Sequence, residues 1–234
     1  MAAGLYGKLP AKRDFVAANA PRRFLETWEP WLQASVATSR QTMGEGWLAA
    51  YNSAPIWRFW LGAAICGEAM LGAFMASIDG VGRSFPLTVF TGEGAQSLPP
   101  PELEPNQAWC EAAEHVLLEA LNPDSDYESI ASRVAALAPP LTQPHAESVS
   151  GIGHLADGSV LVRDFGEDLP MALRAARRFG HRQFFAGQTF WWTIGGENYP
   201  PAALVAQGLP PPTRFAQMLT GSFDASPELA ESGE

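Results

Sequence analysis

Residues 59–78 read FWLGAAICGEAMLGAFMASI, and the fold turns on how this stretch is taken. It has the roughly 20 apolar residues that a membrane-crossing helix needs. Glu68 stands at its middle, and a carboxylate at the bilayer centre costs about 2.5–3.5 kcal/mol on insertion. The stretch is also rich in Gly and Ala. Two buried strands joined by a turn at Cys66-Gly67-Glu68 account for it better. Residues 56–61 (IWRFWL), 69–78 and 86–91 (PLTVFT) then form successive strands, because aromatic and β-branched residues suit a packed pleated surface. A glycine-rich connection, SIDGVGRSFP, joins the last two.

Upstream, residues 4–9 (GLYGKL) read as a short strand closed by Pro10. A helix follows from Asn19, with Pro21 in the tolerated first turn. Phe24, Leu25, Trp28, Trp31, Leu32 and Val36 recur at spacings of three and four. Pro30 falls inside this pattern and is expected to kink or split the helix, since proline lacks a backbone donor. Gly44-Glu45-Gly46 ends it, and a helical turn over Trp47–Tyr51 follows.

Downstream, residues 92–105 form an acidic, Gly- and Pro-rich loop. Asn106 is placed to cap a helix running to about Asn122, with Trp109, Ala113, Val116, Leu117 and Ala120 on its apolar face. A second helix, about 126–138, carries Tyr127, Ile130, Val134 and Leu137, with Asp124 or Ser125 as its cap. Residues 139–150 are loop, 159–163 a strand and 168–180 an Arg-rich helix. Strands at 188–194 and 202–206 and a short helix at 213–220 complete the order. There is no βαβ repeat. The fold class is therefore α+β: a largely antiparallel central sheet with helices packed on it, in one layered domain over residues 1–222. Residues 223–234 form an acidic tail expected to be flexible.

The chain has 234 residues, 47% of them hydrophobic and 17% charged, enough apolar surface for a sizeable core. Fifteen basic residues against 25 acidic ones give a net charge of −10. Binding to nucleic acid or insertion into a membrane is therefore not expected, because those partners reward clustered cations. Lysine occurs only at 8 and 12. Cys66 and Cys110 read as reduced core residues, and no apolar leader precedes the first charges, so the expectation is a cytoplasmic protein.

Tests for familiar chemistry return little. The glycines and lysine of Gly4–Lys8 are too close for a Walker loop, and Leu9 stands where a hydroxyl is needed. His115, His145, His154 and His181 are dispersed, and neither cysteine belongs to a CxxC pair, so no metal is implied. His115 and its acidic neighbours Glu111, Glu114 and Glu119 read as a solvated helix face. There is no G-x-S-x-G elbow. No cofactor is expected and no catalytic residue is assigned.

Two segments set charges inside apolar, glycine-rich sequence: Lys8 to Val16, with Arg13 and Asp14, and Ser77 to Leu87, with Asp79 and Arg83. Unpaired buried charge is costly, so Lys8, Asp14, Asp79 and Arg83 are expected to pair together or to line a cleft. Arg58, between Trp57 and Phe59, is a candidate member of that network. A network fixing loops, a partner-binding cleft and an enzyme cleft around the same four residues remain open readings. Arg174, Arg177 and Arg178 share one side of a helix and form a candidate basic contact patch.

The motifs G-x-x-G-K-L-P-x-x-x-D-F-V at 4–16, P-x-W-R-F at 55–59 and S-x-D-x-V-G-R-x-F-P-L at 77–87 resemble the TagF family, accessory proteins of the bacterial type VI secretion system. T-F-W-W-T at 189–193, which contains Trp192, and G-L-P-x-x-x-x-F-x-x-M-L at 208–219 extend the resemblance along nearly the whole chain. The resemblance implies a non-catalytic, cytoplasmic regulator that represses secretion after translation. It implies action on the forkhead-associated scaffold protein of that system. Some members are fused to a PP2C-type phosphatase; this chain has no length for one, so such a partner is expected to be separate.

Overall fold

A computed structural model describes residues 2–94, 97–122, 124–142 and 151–223. In chain order the elements are β1 (Gly4–Gly7), β2 (Val16–Ala18), α1 (Arg22–Met43), α2 (Trp47–Ser53), β3 (Trp57–Leu61), α3 (Ala63–Cys66), β4 (Met70–Met75) and β5 (Leu87–Gly92). Then come α4 (Gln107–Glu119), α5 (Tyr127–Ala135), β6 (Ile152–His154), β7 (Val160–Val162), α6 (Leu169–Phe179), α7 (His181–Phe184), β8 (Gln188–Thr193), β9 (Ala202–Gln207) and α8 (Arg214–Thr220). Seven strands make one sheet in the order β2-β1-β5-β4-β3-β8-β9, and every pairing in it is antiparallel. β6 and β7 form a separate hairpin.

The central strands β1, β5, β4 and β3 are buried on both faces, which makes three layers and an α+β domain, while edge strand β9 keeps one face exposed. β3 shows the arrangement. Trp57, Phe59 and Leu61 enter one core with Phe24, Trp28 and Trp31 of α1 and Phe215 of α8, while Trp60 enters the other with α4 and α5. β4 divides likewise, Met70 and Phe74 on one face, Leu71, Ala73 and Met75 on the other. Two covered faces leave no polar alternation along these strands. That is why they read as continuous apolar runs.

Trp28 centres the α1 core. It is fully buried, with its ring 4.3 Å from Phe59, 5.1 Å from Trp31 and 5.8 Å from Trp191, nearly parallel to the last. Its indole N–H donates to Thr88 Oγ1 at 3.1 Å. Phe59 lies opposite Gly72 across the β3–β4 ladder, and a Cβ at Gly72 would stand 2.2 Å from that ring. Glycine is required there by close approach.

Several expectations need correction. α1 runs unbroken from Arg22 to Met43 with Pro30 inside it. Pro30 is exposed, so the carbonyl it leaves unpaired lies on the wet side of the helix while the buried side keeps its contacts. The turn at 66–68 is preceded by one helical turn, α3, closed by Gly67 in the left-handed region at φ 91°. Asn106 stands before α4 as expected, but its side chain makes no cap. It binds the backbone of Leu141 instead, accepting at 2.6 Å and donating at 3.1 Å. The cap of α5 is Asp126, which accepts from Ser129 N at 2.7 Å, rather than Asp124 or Ser125. β2 and β6 are three-residue strands that no sequence pattern announced. Both cysteines are free and buried, and no described helix is long and apolar enough to cross a membrane. The acidic tail expected over 223–234 lies, from residue 224 onward, outside the described residues.

Two stability changes follow. Trp28→Ala should cost about 3–5 kcal/mol, the usual penalty for emptying a large aromatic site, read as a lower urea midpoint. Pro30→Ala should raise the midpoint, because it restores a helical donor at an exposed position where proline is about 3 kcal/mol less favourable than alanine.

Candidate functional site

The charges singled out in the sequence fall into two clusters. The first lies where β1 and β4 leave the sheet. Beyond Met75 the chain folds into a small hairpin extension, with Phe85 N donating to Ser77 O at 3.0 Å and Ile78 bridged to Ser84. Asp79 sits in it with a fully buried side chain that accepts four hydrogen bonds. Oδ1 takes the backbone N–H groups of Val81 (3.1 Å) and Arg83 (2.8 Å). Oδ2 takes Lys8 Nζ at 2.9 Å and Arg83 Nε at 2.7 Å. The strap after β1 is stitched to the same hairpin: Ser77 Oγ donates to Lys8 O at 2.8 Å and Gly80 N to Lys12 O at 2.8 Å. Arg83 Nη2 also donates to the Arg13 carbonyl.

Burial alone would raise the pKa of Asp79, but the N–H of Arg83, the Lys8 ammonium, the Arg83 guanidinium and the Val81 N–H together hold it well below the carboxylate range. Asp14 is a correction. It is exposed, and no described residue pairs with it, so Lys8, Asp79 and Arg83 form the network without it.

Arg58 is a second correction, because it belongs to another cluster. β3 projects it onto the α4 face, where it is 1% exposed. Nε and Nη2 grip Glu114 Oε1 and Oε2 at 2.6 and 2.9 Å, and Nη1 donates to Gln107 Oε1 at 2.9 Å. Burial works against the charged form of Arg58, yet the Glu114 hydrogen bonds and charge raise its pKa further. Trp192 of β8 registers beside Arg58 and is half-buried. It lines an apolar groove of about 470 Å³ with Phe190, Val205, Pro101, Pro105 and Gln107. Glu114 is the functional partner that sequence reading missed. The available signal was an acid one turn from Cys110 on the buried face of α4, beside Trp109 and Ala113.

The expected basic patch on α6 is also corrected. Arg177 pairs with Glu102 at 3.2 Å and lies over the Phe185 ring, and the neighbouring Arg182 pairs with Glu93 at 2.7 Å. The Arg178 carbonyl meets His181 Nδ1 at 2.9 Å, and Ser97 Oγ lies 2.6 Å from Nε2 of the same ring. Arg174 is exposed, with no partner among the described residues. Arg177 of α6 and Arg182 of α7 thus fasten this segment to Glu102 and Glu93.

Among the described residues no group of three or more His, Cys, Asp or Glu converges on a metal position; His145 lies outside them. His115 is exposed and faces Glu119 at 3.3 Å, but the solvated face expected around it is corrected at Glu114, which is buried on Arg58. Burial pushes the thiols of Cys66 and Cys110 up to about 12, so both stay protonated and unreactive at neutral pH. What the geometry supplies is braced loops and shaped surfaces.

Residues 4–137, more than half of the chain, match a family described as the TagF N-terminal domain, type VI secretion system-associated. Among solved structures, the crystal structure of PA0076 from Pseudomonas aeruginosa PAO1 is similar at a TM-score of 0.79 and 32% identity. The similarity covers 96% of this chain and 97% of that one. No curated protein matches.

Two outcomes test the clusters. Glu114→Ala should cost about 3–5 kcal/mol, because it strands the buried Arg58 charge. Asp79 has a depressed folded pKa, so its stabilisation is full above the unfolded value near 3.9 and fades as pH falls toward the folded value. The stability gap between wild type and Asp79→Asn should therefore be widest above about pH 5 and narrow on acidification, as measured by urea unfolding at stepped pH.

Proposed function

The chain belongs to the TagF family of type VI secretion system-associated proteins, and from this premise we propose that it is a non-enzymatic repressor of that secretion. It acts in the cytoplasm after translation, by binding a secretion-system component such as the forkhead-associated scaffold protein. A sequestered scaffold is withdrawn from assembly by mass action. In this reading it acts together with a PP2C-type phosphatase.

The observation that supports this reading is the fate of the charged residues. Lys8 and Asp79 are buried and satisfied by internal partners, and Arg58 is committed to Glu114. The alternative, an enzyme with a cleft around Lys8, Asp14, Asp79 and Arg83, needs those groups turned toward a common open space. Asp14 stands outside the network, and the Asp79 carboxylate has all its hydrogen bonds internally.

Deleting the gene in the native bacterium should raise the amount of type VI substrate in the culture supernatant, and overexpression should lower it. A pull-down with the tagged chain, quantified by mass spectrometry, should enrich the forkhead-associated scaffold. Secretion indifferent to both changes, with no secretion component recovered, would sink the proposal.

A further inference from the structure

The end of the sheet that holds Asp79 also carries a surface that internal pairing does not use up. Phe15, Ile78 and Val81 are 47%, 39% and 56% exposed there. Phe15 is held in place. Its ring lies 5.9 Å from Tyr6 and 4.8 Å from Phe85, with Lys8 Nζ 5.3 Å above it. Val81 stands between Gly80 and Gly82, and its N–H is tied to Asp79.

Cations surround these apolar side chains. Both lysines of the chain fall on this end, with Arg13 and Arg83. Arg13 has no side-chain partner among the described residues. Arg83 is 59% exposed in its side chain; its Nε and Nη2 are anchored, and Nη1 has no partner among the described residues. Acids stand close to these cations: Asp79 answers Lys8 and Arg83, Glu128 faces Lys12 at 3.6 Å, Asp14 follows Arg13, and the Glu29 carboxylate is hydrogen-bonded to Tyr6 beside Phe15. On a chain of net charge −10 this end is locally near neutral, and Arg13 and Nη1 of Arg83 are cationic donors without a partner among the described residues.

We propose that this end docks an acidic segment of a partner protein that also carries an apolar side chain. The carboxylates pair with Arg13 and Arg83, and the apolar side chain lies on Phe15 and Val81. The inference rests on the partner-binding reading above and names the chemistry of the partner. The unpaired donors of Arg13 and Arg83, beside exposed Phe15 and Val81, select an occupant that offers carboxylates and an apolar side chain. A short acidic segment meets the local cations, whereas extended polyanions such as nucleic acid or an anionic membrane also meet the field of the whole chain. A guanidinium already fixed by two hydrogen bonds loses little further freedom on pairing.

The test uses the full chain, a phage-displayed random peptide library, and the variants Arg13→Glu and Val81→Asp, with Arg174→Glu as control. Neither test side chain makes an internal polar contact, so melting temperatures should match wild type. Wild type should enrich acidic peptides bearing an aliphatic or aromatic residue. Arg13→Glu and Val81→Asp should each weaken the selected peptides about tenfold, Arg174→Glu should not, and added salt should weaken binding. Enrichment of neutral or basic peptides, no enrichment, or wild-type affinity in both test variants overturns the proposal. So does retention of a duplex DNA oligonucleotide or of phosphatidylglycerol vesicles in place of peptide. If peptides behave as expected but wild type recovers no secretion component, the docking surface stands and the repressor reading falls. If wild type recovers the scaffold while peptide binding fails or ignores both variants, the repressor reading stands and the docking surface falls.

Discussion

Central strands covered on both faces leave no water for any charge they project, and that constraint organises this molecule. Arg58 points from a central strand into a closed layer, where an unpaired guanidinium is untenable. Glu114 must answer it, so α4 has to lie across the sheet in the one rotation that brings position 114 over β3. The apolar residues of α4 then follow onto Trp60, Leu71 and Val89. Buried ion pairs of this kind add modest net stability against an apolar isostere, but they define a register sharply. Gln107 and Glu111 extend the polar row along the same helix and carry it outward to solvent.

The same rule explains the hairpin at the other node. Asp79 is buried among loops instead of strands, where backbone N–H groups lack a ladder. Its two oxygens collect two of those groups and two cations, so one side chain substitutes for a length of sheet. The result is a loop rich in glycine that nevertheless has a defined shape. Rigidity at an exposed tip suits recognition, because the cost of ordering has already been met in folding.

Much of this was legible in the residues. β3, β4 and β5 declared themselves through aromatic and β-branched runs, and α1, α4 and α5 through spacing. Lys8, Asp79 and Arg83 were visible as charges stranded in apolar sequence, and they do meet. What was hidden depends on contacts between distant segments. Glu114 looked like one acid among several near His115, and its partner is 56 positions away. Arg177 read as part of a contact patch, because Glu102, the loop acid that binds it, lies in a stretch with no pattern of its own. Pro30 misled because the rule against proline in helices weighs the lost hydrogen bond without asking whether that side of the helix is wet. β2 and β6 are too short to show a period.

The family match ends at residue 137, yet the core does not. Trp191 stacks on Trp28, and the indoles of Trp31 and Trp57 donate to the carbonyls of Pro210 and Met218. β3 takes β8 as its neighbour, pairing Arg58 with Trp192. During synthesis that partner emerges roughly 130 residues later, which at about 5–20 residues per second is on the order of ten seconds. For that interval the nascent chain holds an aromatic strand with one edge bare and half a tryptophan stack uncovered. The translating ribosome thus presents a species open to chaperones and to mispairing, and the arrival of β8, which brings Trp191 with it, is what ends that exposure.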